Sequence, residues 1–226
     1  MSAAPRIDNG KHPLEPLNIM TVGWLPSDTP YGNLLLKGTN IVRRIDRVNL
    51  EVERVFATYV HPSKLDINDP RQDILEHQFY QEEVVYWLRK TADELISLAY
   101  VIDEWKRTRS WPRAVQVDSI AGLSGTTSRE IQELFAPHAR LLSTLNEVAN
   151  AFKHSFINTD MSVVGAEYPV VFALALRRNK LSEQPVFYSV SFQQMIEAFS
   201  SFYNHVFAVI RGWAGIGRTE HQQGAT

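Results

Sequence analysis

From Pro70 to about Arg107 neither glycine nor proline interrupts the chain. Those two residues cost a helix interior about 1 and about 3 kcal/mol relative to alanine, so a long stretch free of both favours one extended helix. The apolar positions agree. Ile74, Leu75, Phe79, Val84, Val85, Leu88, Ala92, Leu95, Ile96, Ala99, Ile102 and Trp105 keep a helical period. The stripe widens after Val84, which places that part centrally in a bundle. Asp69-Pro70 reads as an N-cap followed by proline in the first turn. Thirty-odd residues at helical rise span about 55 Å, so a kink or break near Glu82 is expected.

A helix this long needs helical partners, and the flanking sequence supplies them. Ile41, Ile45, Val48, Val52, Val55 and Tyr59 alternate steps of four and three, one stripe of a helix that Thr39 can cap. Arg43, Arg44 and Arg47 lie on its solvated side, with Glu51 as the i+4 partner of Arg47. After a loop over 106–127, Thr127 and Glu130 match a capping box for a short helix. Pro137 restarts the pattern, giving a helix with the stripe Leu141, Leu145, Val148 and Phe152, ending near Asn158.

The period then changes. Tyr168–Leu176 and Val186–Val190 are rich in β-branched and aromatic residues and predict a β-hairpin at about 168–190. Ser191 and Gln194 form another capping box, opening a last helix with the stripe Phe192, Met195, Phe199, Phe202, Val206, Val209 and Trp213. That aromatic stripe is most simply core, although Phe202, Tyr203 and Phe207 together could exceed one face and meet a partner subunit. The predicted fold is mainly α, a bundle of four or five helices with a β-hairpin inserted before the C-terminal helix. Residues 1–38 form a proline-rich arm with room for a strand at 17–24, residues 39–213 one domain, and residues 214–226 a polar tail.

Composition narrows the function classes. The 226 residues carry a formal net charge of −2, so nucleic acid or an acidic membrane would have to be met by a local patch. The absence of cysteine excludes disulfides, thiolate metal sites and cysteine nucleophiles. No Glu-x-x-His or His-Glu-x-x-His occurs, so no bundle metal centre of those types is expected, and no cofactor. Asp73 and His77, four apart, read as a surface ion pair. Gly122-Leu-Ser-Gly125 fits neither a nucleophile elbow nor a phosphate loop and reads as a flexible connection. The start lacks a signal-peptide layout and the apolar runs are too short to span a bilayer, so the expected location is cytoplasmic without membrane contact.

The segment Leu145-Asn-Glu-Val-Ala-Asn-Ala-Phe-Lys-His-Ser155 carries the most information. On a helix Asn146, Asn150 and His154 stack along one face, adjacent to the apolar stripe. Polar groups at the edge of a core need partners, since burying one unpaired costs about 1–3 kcal/mol. One reading is a structural network tying the helix to its neighbours or to the hairpin. The other is a binding site of Asn146, Asn150, Lys153 and His154.

That segment resembles HEPN domains (higher eukaryotes and prokaryotes nucleotide-binding), and an Ala-Asn-Ala-x-Lys-His pattern of uncharacterised bacterial helical proteins. The resemblance rests on one short motif, with an order of elements over about 70–213. It implies a helical bundle, commonly a homodimer, of a class in which many members are metal-independent ribonucleases. Their motif is an arginine, often a polar residue such as asparagine, three more residues and a histidine. Here the polar position falls on Asn150, the histidine on His154 and the arginine position on Ala149. In such a nuclease histidine moves protons at the 2′-hydroxyl and the leaving oxygen, while arginine stabilises charge on phosphate. Alanine cannot do the second, and Lys153 points about 100° around the helix from His154. The expectation is therefore a non-catalytic interaction or nucleic-acid-binding module of degenerate HEPN-like type, with a protein partner or RNA as ligand. The alternative is an active ribonuclease or toxin using His154 and an arginine from elsewhere, such as Arg140 or the 106–113 loop of a partner chain.

A second candidate patch is Trp105, Lys106, Arg107, Arg109, Trp111 and Arg113. Interleaved indoles and cations can stack bases and neutralise phosphates. The near-neutral overall charge favours the other reading, in which cations at a helix C-terminus complement its dipole while indoles anchor the loop.

Overall fold

A computed structural model of the chain describes residues 4–10, 22–64, 66, 68–69, 74–154, 167–176, 180 and 182–215. Its elements run α1 (Leu34–Thr58), α2 (Ile74–Thr108), a short α3 (Arg129–Phe135), α4 (Ala139–His154), β1 (Val170–Ala175), β2 (Val186–Ser191) and α5 (Phe192–Gly215). The fold is mainly α, with four long helices, one short one and a hairpin directly ahead of the last helix among the described residues. No helix among the described residues is long and apolar enough to cross a membrane.

The residues cluster into two compact units. The first comprises Met1–Ile7, Arg47–Arg89 and Leu141–Ser200; the second Asp8–Asp46, Lys90–Arg140 and Ser201–Thr226. The first unit buries Val48, Val52 and Val55 of α1, Val84, Val85 and Leu88 of α2, and Phe192, Ile196 and Phe199 of α5. Its hairpin is antiparallel with Val170 opposite Ser191 and Ala175 opposite Val186. Val171 and Ala173 point inward and are fully buried, which is the period-two signature of a strand with one covered face. Gln81 of α2 donates to the Val170 carbonyl at 3.1 Å, tying the strand to the helix.

The second unit buries Ile41 and Ile45 of α1, Ala92, Leu95, Ile96 and Ile102 of α2, and Phe202, Tyr203 and Val206 of α5. Tyr203 stacks on Phe207, whose ring meets the edge of Trp24 at 5.4 Å. The aromatic stripe that could have met a partner is thus core, with Phe202 and Tyr203 buried inside the unit.

Several local expectations shift. Helix α1 starts at Leu34, ahead of Thr39, because the Asn33 side chain accepts from Leu36 N at 3.1 Å and caps it there. Thr39 lies inside the helix and donates to the Leu35 carbonyl. Part of the proline-rich arm is core: Ile7, Val22, Trp24 and Leu25 are buried. Most of the strand expected at 17–24 lies outside the described residues; Val22 opens a turn, accepting from Leu25 N at 3.0 Å. Helix α2 is continuous through Glu82. Its expected stripe fails at Phe79, which is 61% exposed, while Ile74 and Leu75 fall outside the described side chains and Pro70 and Asp73 outside the described residues.

The cap of α3 is Ser128 rather than Thr127: its hydroxyl accepts from Ile131 N and donates to the buried Asp103 at 2.8 Å. Burial raises the Asp103 carboxyl, and the Ser128 bond pulls it back. The connection read as loop over 106–127 contains the end of α2 and a 3-10 turn at Ala121–Gly125. Pro137 sits in a 3-10 turn, Ala136–His138, before α4. The buried stripe of α4 is Leu142, Leu145, Val148 and Ala151, so Leu141 and Phe152 are half-buried flanks of it. The cap of α5 matches, Ser191 Oγ accepting from Gln194 N at 3.4 Å.

Candidate functional site

Helix α4 holds the candidate row. Its residues are good helix formers or tolerated ones, and burial at steps of three fixes which way it faces. The row of Asn146, Asn150 and His154 advances by four where that stripe advances by three, falling one, two and then three residues behind Leu145, Val148 and Ala151, so it climbs out of the core. Asn146 and Asn150 are half-buried, and Lys153 and His154 are exposed in the last turn. Cations in that turn complement the helix C-terminus.

The two amides differ in their partners. Asn146 Nδ2 donates to Glu147 Oε1 at 3.3 Å. Its Oδ1 is buried with no hydrogen-bond partner among the described residues. Asn150 Oδ1 accepts from Arg89 Nη1 at 3.1 Å. Glu147 reaches the hairpin: burial, then the Glu147 charge and a hydrogen bond to it, raise the Tyr188 phenol on β2. The row is thus joined to α2 on one side and to β2 on the other.

Arg89 is the residue that motif spacing does not reveal. The motif's arginine position is Ala149, yet a guanidinium arrives at Asn150 from α2, 61 residues away in sequence. One signal did exist. Arg89 is four residues after Val85 and three before Ala92, both fully buried, so a long cation borders the apolar stripe of a central helix. Such a residue either snorkels or has a partner.

The other patch lies in the second unit. Trp105 and Trp111 stack on each other at 5.6 Å and 23°. Arg109 lies over the Trp105 ring at 5.4 Å and Lys106 over Trp213 at 5.2 Å. Arg107 pairs with Glu104, and Arg113 is exposed. Tyr31 OH donates to the Pro112 carbonyl, pinning the loop. Arg109 has φ 54° and its N–H bonds the Trp105 carbonyl at 2.8 Å, the left-handed cap that usually falls to glycine. The indoles therefore spend stacking area on each other and on cations of their own loop.

The cations of α1 are more engaged than a solvated face implies. Arg44 is half-buried and meets Glu94 with both Nη atoms, at 2.9 and 3.2 Å. The Arg47–Glu51 pair forms at 2.6 Å, but Glu51 is fully buried and Arg54 holds it as well. His77 bonds Thr58 Oγ1 and Gln81 Nε2, each at 3.1 Å, and its expected partner Asp73 lies outside the described residues. Among the described residues no group of three or more histidines, aspartates and glutamates could hold a metal ion. No family model, curated protein or solved structure matches the chain.

Proposed function

We propose that this chain is a non-catalytic, RNA-binding module of degenerate HEPN-like type, acting as a homodimer, with Arg89, Asn150, Lys153 and His154 as its contact residues. The observation that carries this reading is the 3.1 Å bond from Arg89 to Asn150. It sets a guanidinium at Asn150, one helical turn before His154, and Lys153 and His154 follow, exposed, in the last turn of α4. Three side chains able to carry positive charge then share one end of α4, and such groups supply most of the affinity for a phosphate backbone. The hydrogen bond to the Asn150 amide oxygen orients the Arg89 guanidinium.

The same bond favours a second reading, a metal-independent ribonuclease. There His154 would take the 2′-hydroxyl proton and return one to the leaving oxygen, while Arg89 faced the phosphate charge that Ala149 cannot.

One experiment separates the two. Labelled single-stranded RNA is incubated with the full chain and with Arg89→Ala and His154→Ala, and both binding and cleavage are read; light scattering gives the oligomeric state. Binding without cleavage, weakened in Arg89→Ala and at higher salt, supports the first reading. Cleavage that disappears in His154→Ala moves the assignment to the second. An absence of binding in the wild-type chain removes both.

A further inference from the structure

In the second unit, two imidazoles meet at its surface. His138 closes the 3-10 turn Ala136–His138, immediately ahead of α4, and His205 lies on α5. His138 Nε2 is 2.8 Å from His205 Nδ1. The rings sit 5.1 Å apart with a 47° tilt. His138 also meets Phe202 edge-on at 5.3 Å and 77°. Phe202 is fully buried and precedes His205 by three residues, so both lie on one side of α5. One ring is therefore held against the core while the other stands at its exposed rim.

Two nitrogens at this distance can share one proton, one donating and the other accepting. With that proton gone, two lone pairs converge on one small space, an arrangement that a cation relieves. The dimensions suit a metal. Imidazole–metal bonds of about 2.0–2.1 Å, meeting at angles from about 90° to about 109°, place the nitrogens about 2.9–3.4 Å apart. The observed 2.8 Å needs an opening of tenths of an ångström, and His205, being exposed, can swing that far.

We propose that His138 and His205 form a two-nitrogen site for a borderline divalent transition ion, zinc, nickel or copper(II), with water completing its coordination. The donor set selects the class. Imidazole suits zinc, nickel and copper, whereas magnesium and calcium require oxygen ligands. Because no third histidine, aspartate or glutamate joins a cluster among the described residues, two protein ligands carry the binding.

The test is calorimetric titration of the full chain with nickel chloride, zinc chloride and magnesium chloride. One saturable nickel or zinc site per chain is expected, with none for magnesium. His205→Gln should weaken it by about tenfold or more, the equivalent of about 1.4 kcal/mol. His205→Cys, which restores a ligand, should bind zinc again, and His61→Ala should bind as the wild type does. The variants replace an exposed side chain, and circular dichroism verifies their folding. Absence of a saturable site in the wild-type chain overturns the proposal. So does binding that is unchanged in His205→Gln, or zinc binding that is lost equally in His205→Gln and His205→Cys.

Discussion

Glu51 offers the sharpest stability test. Its side chain is 0% exposed, yet it lies on the arginine-rich side of α1. The geometry explains how. Arg47 Nη2 contacts Oε1 at 2.6 Å, and Arg54 Nη1 bonds both carboxylate oxygens at 3.1 Å. Placed at i−4 and i+3, the two arginines converge on the carboxylate and their stems cover it. Each arginine is half exposed, so a single pair is discounted for solvent to about 0.5–1 kcal/mol. Arg54 also lies over the Tyr80 ring at 5.6 Å, worth about 0.5 kcal/mol more at an exposed site. Arg47→Ala should therefore cost about 0.5–1 kcal/mol and Arg54→Ala about 1–1.5 kcal/mol. With both removed, the carboxylate loses both guanidinium partners. Breaking a buried pair costs about 3–5 kcal/mol, reduced here because removing the stems lets water in. We expect about 3 kcal/mol for the double variant, a coupling of roughly 1 kcal/mol beyond the sum of the singles. Glu51→Leu, which removes the charge and keeps the volume, should stay within about 1 kcal/mol of wild type or exceed it. Urea unfolding of the four variants measures all of this. Additivity within about 0.3–0.5 kcal/mol would show that the two arginines do not share the carboxylate, and the argument would fail.

Two further predictions concern single residues. Burial lowers the His77 imidazole below its ordinary value, and a bond to the Val55 backbone pulls it back. Its contribution to stability is thus fully present above the unfolded value near 6.5 and is lost as pH falls through the lower folded value; the loss in wild-type stability between pH 7 and pH 5 should shrink in His77→Gln. Gly38 lies in α1, and a Cβ there would sit 2.5 Å from Leu25 Cδ1 and 3.2 Å from Val22 Cγ1. Gly38→Ala would gain about 1 kcal/mol of helix propensity but overpack a buried contact at about 1–3 kcal/mol, so it should destabilise in urea. In a Leu25→Ala background it should stabilise, and a stabilised Gly38→Ala in the wild-type background would show that the contact yields freely.

What the sequence disclosed, and what it did not, divides by the range of the interaction. Helix α2, the hairpin and the cap of α5 were legible because each is decided within a few residues: the run without glycine or proline, the switch to period two, the Ser191–Gln194 box. The start of α1 was misread for the same reason. Thr39 reads as a cap from its residue type, whereas Asn33 caps the helix and Gly38 lies inside it, where Leu25 and Val22 press close. Phe79 kept the period without being buried, because periodicity gives a face and not what covers it. Glu51 looked like a surface partner because i+4 spacing names a pair but not its burial.

The candidate site shows the same division. Spacing alone put Asn146, Asn150 and His154 in a row, and α4 is helical through all three. It also made Ala149 a gap in the motif, since a local pattern looks for its arginine one residue before the asparagine. A side chain at 149 would point about 100° around the helix from Asn150. Arg89 approaches instead from α2 and is anchored on the Asn150 amide itself. The bonds differ in kind: Arg47 and Arg54 converge on a buried carboxylate, whereas Asn150 offers Arg89 a neutral amide oxygen. The proposed anion-binding end of the first unit therefore rests on a long-range bond between Arg89 and Asn150, which the spacing of the motif does not reveal.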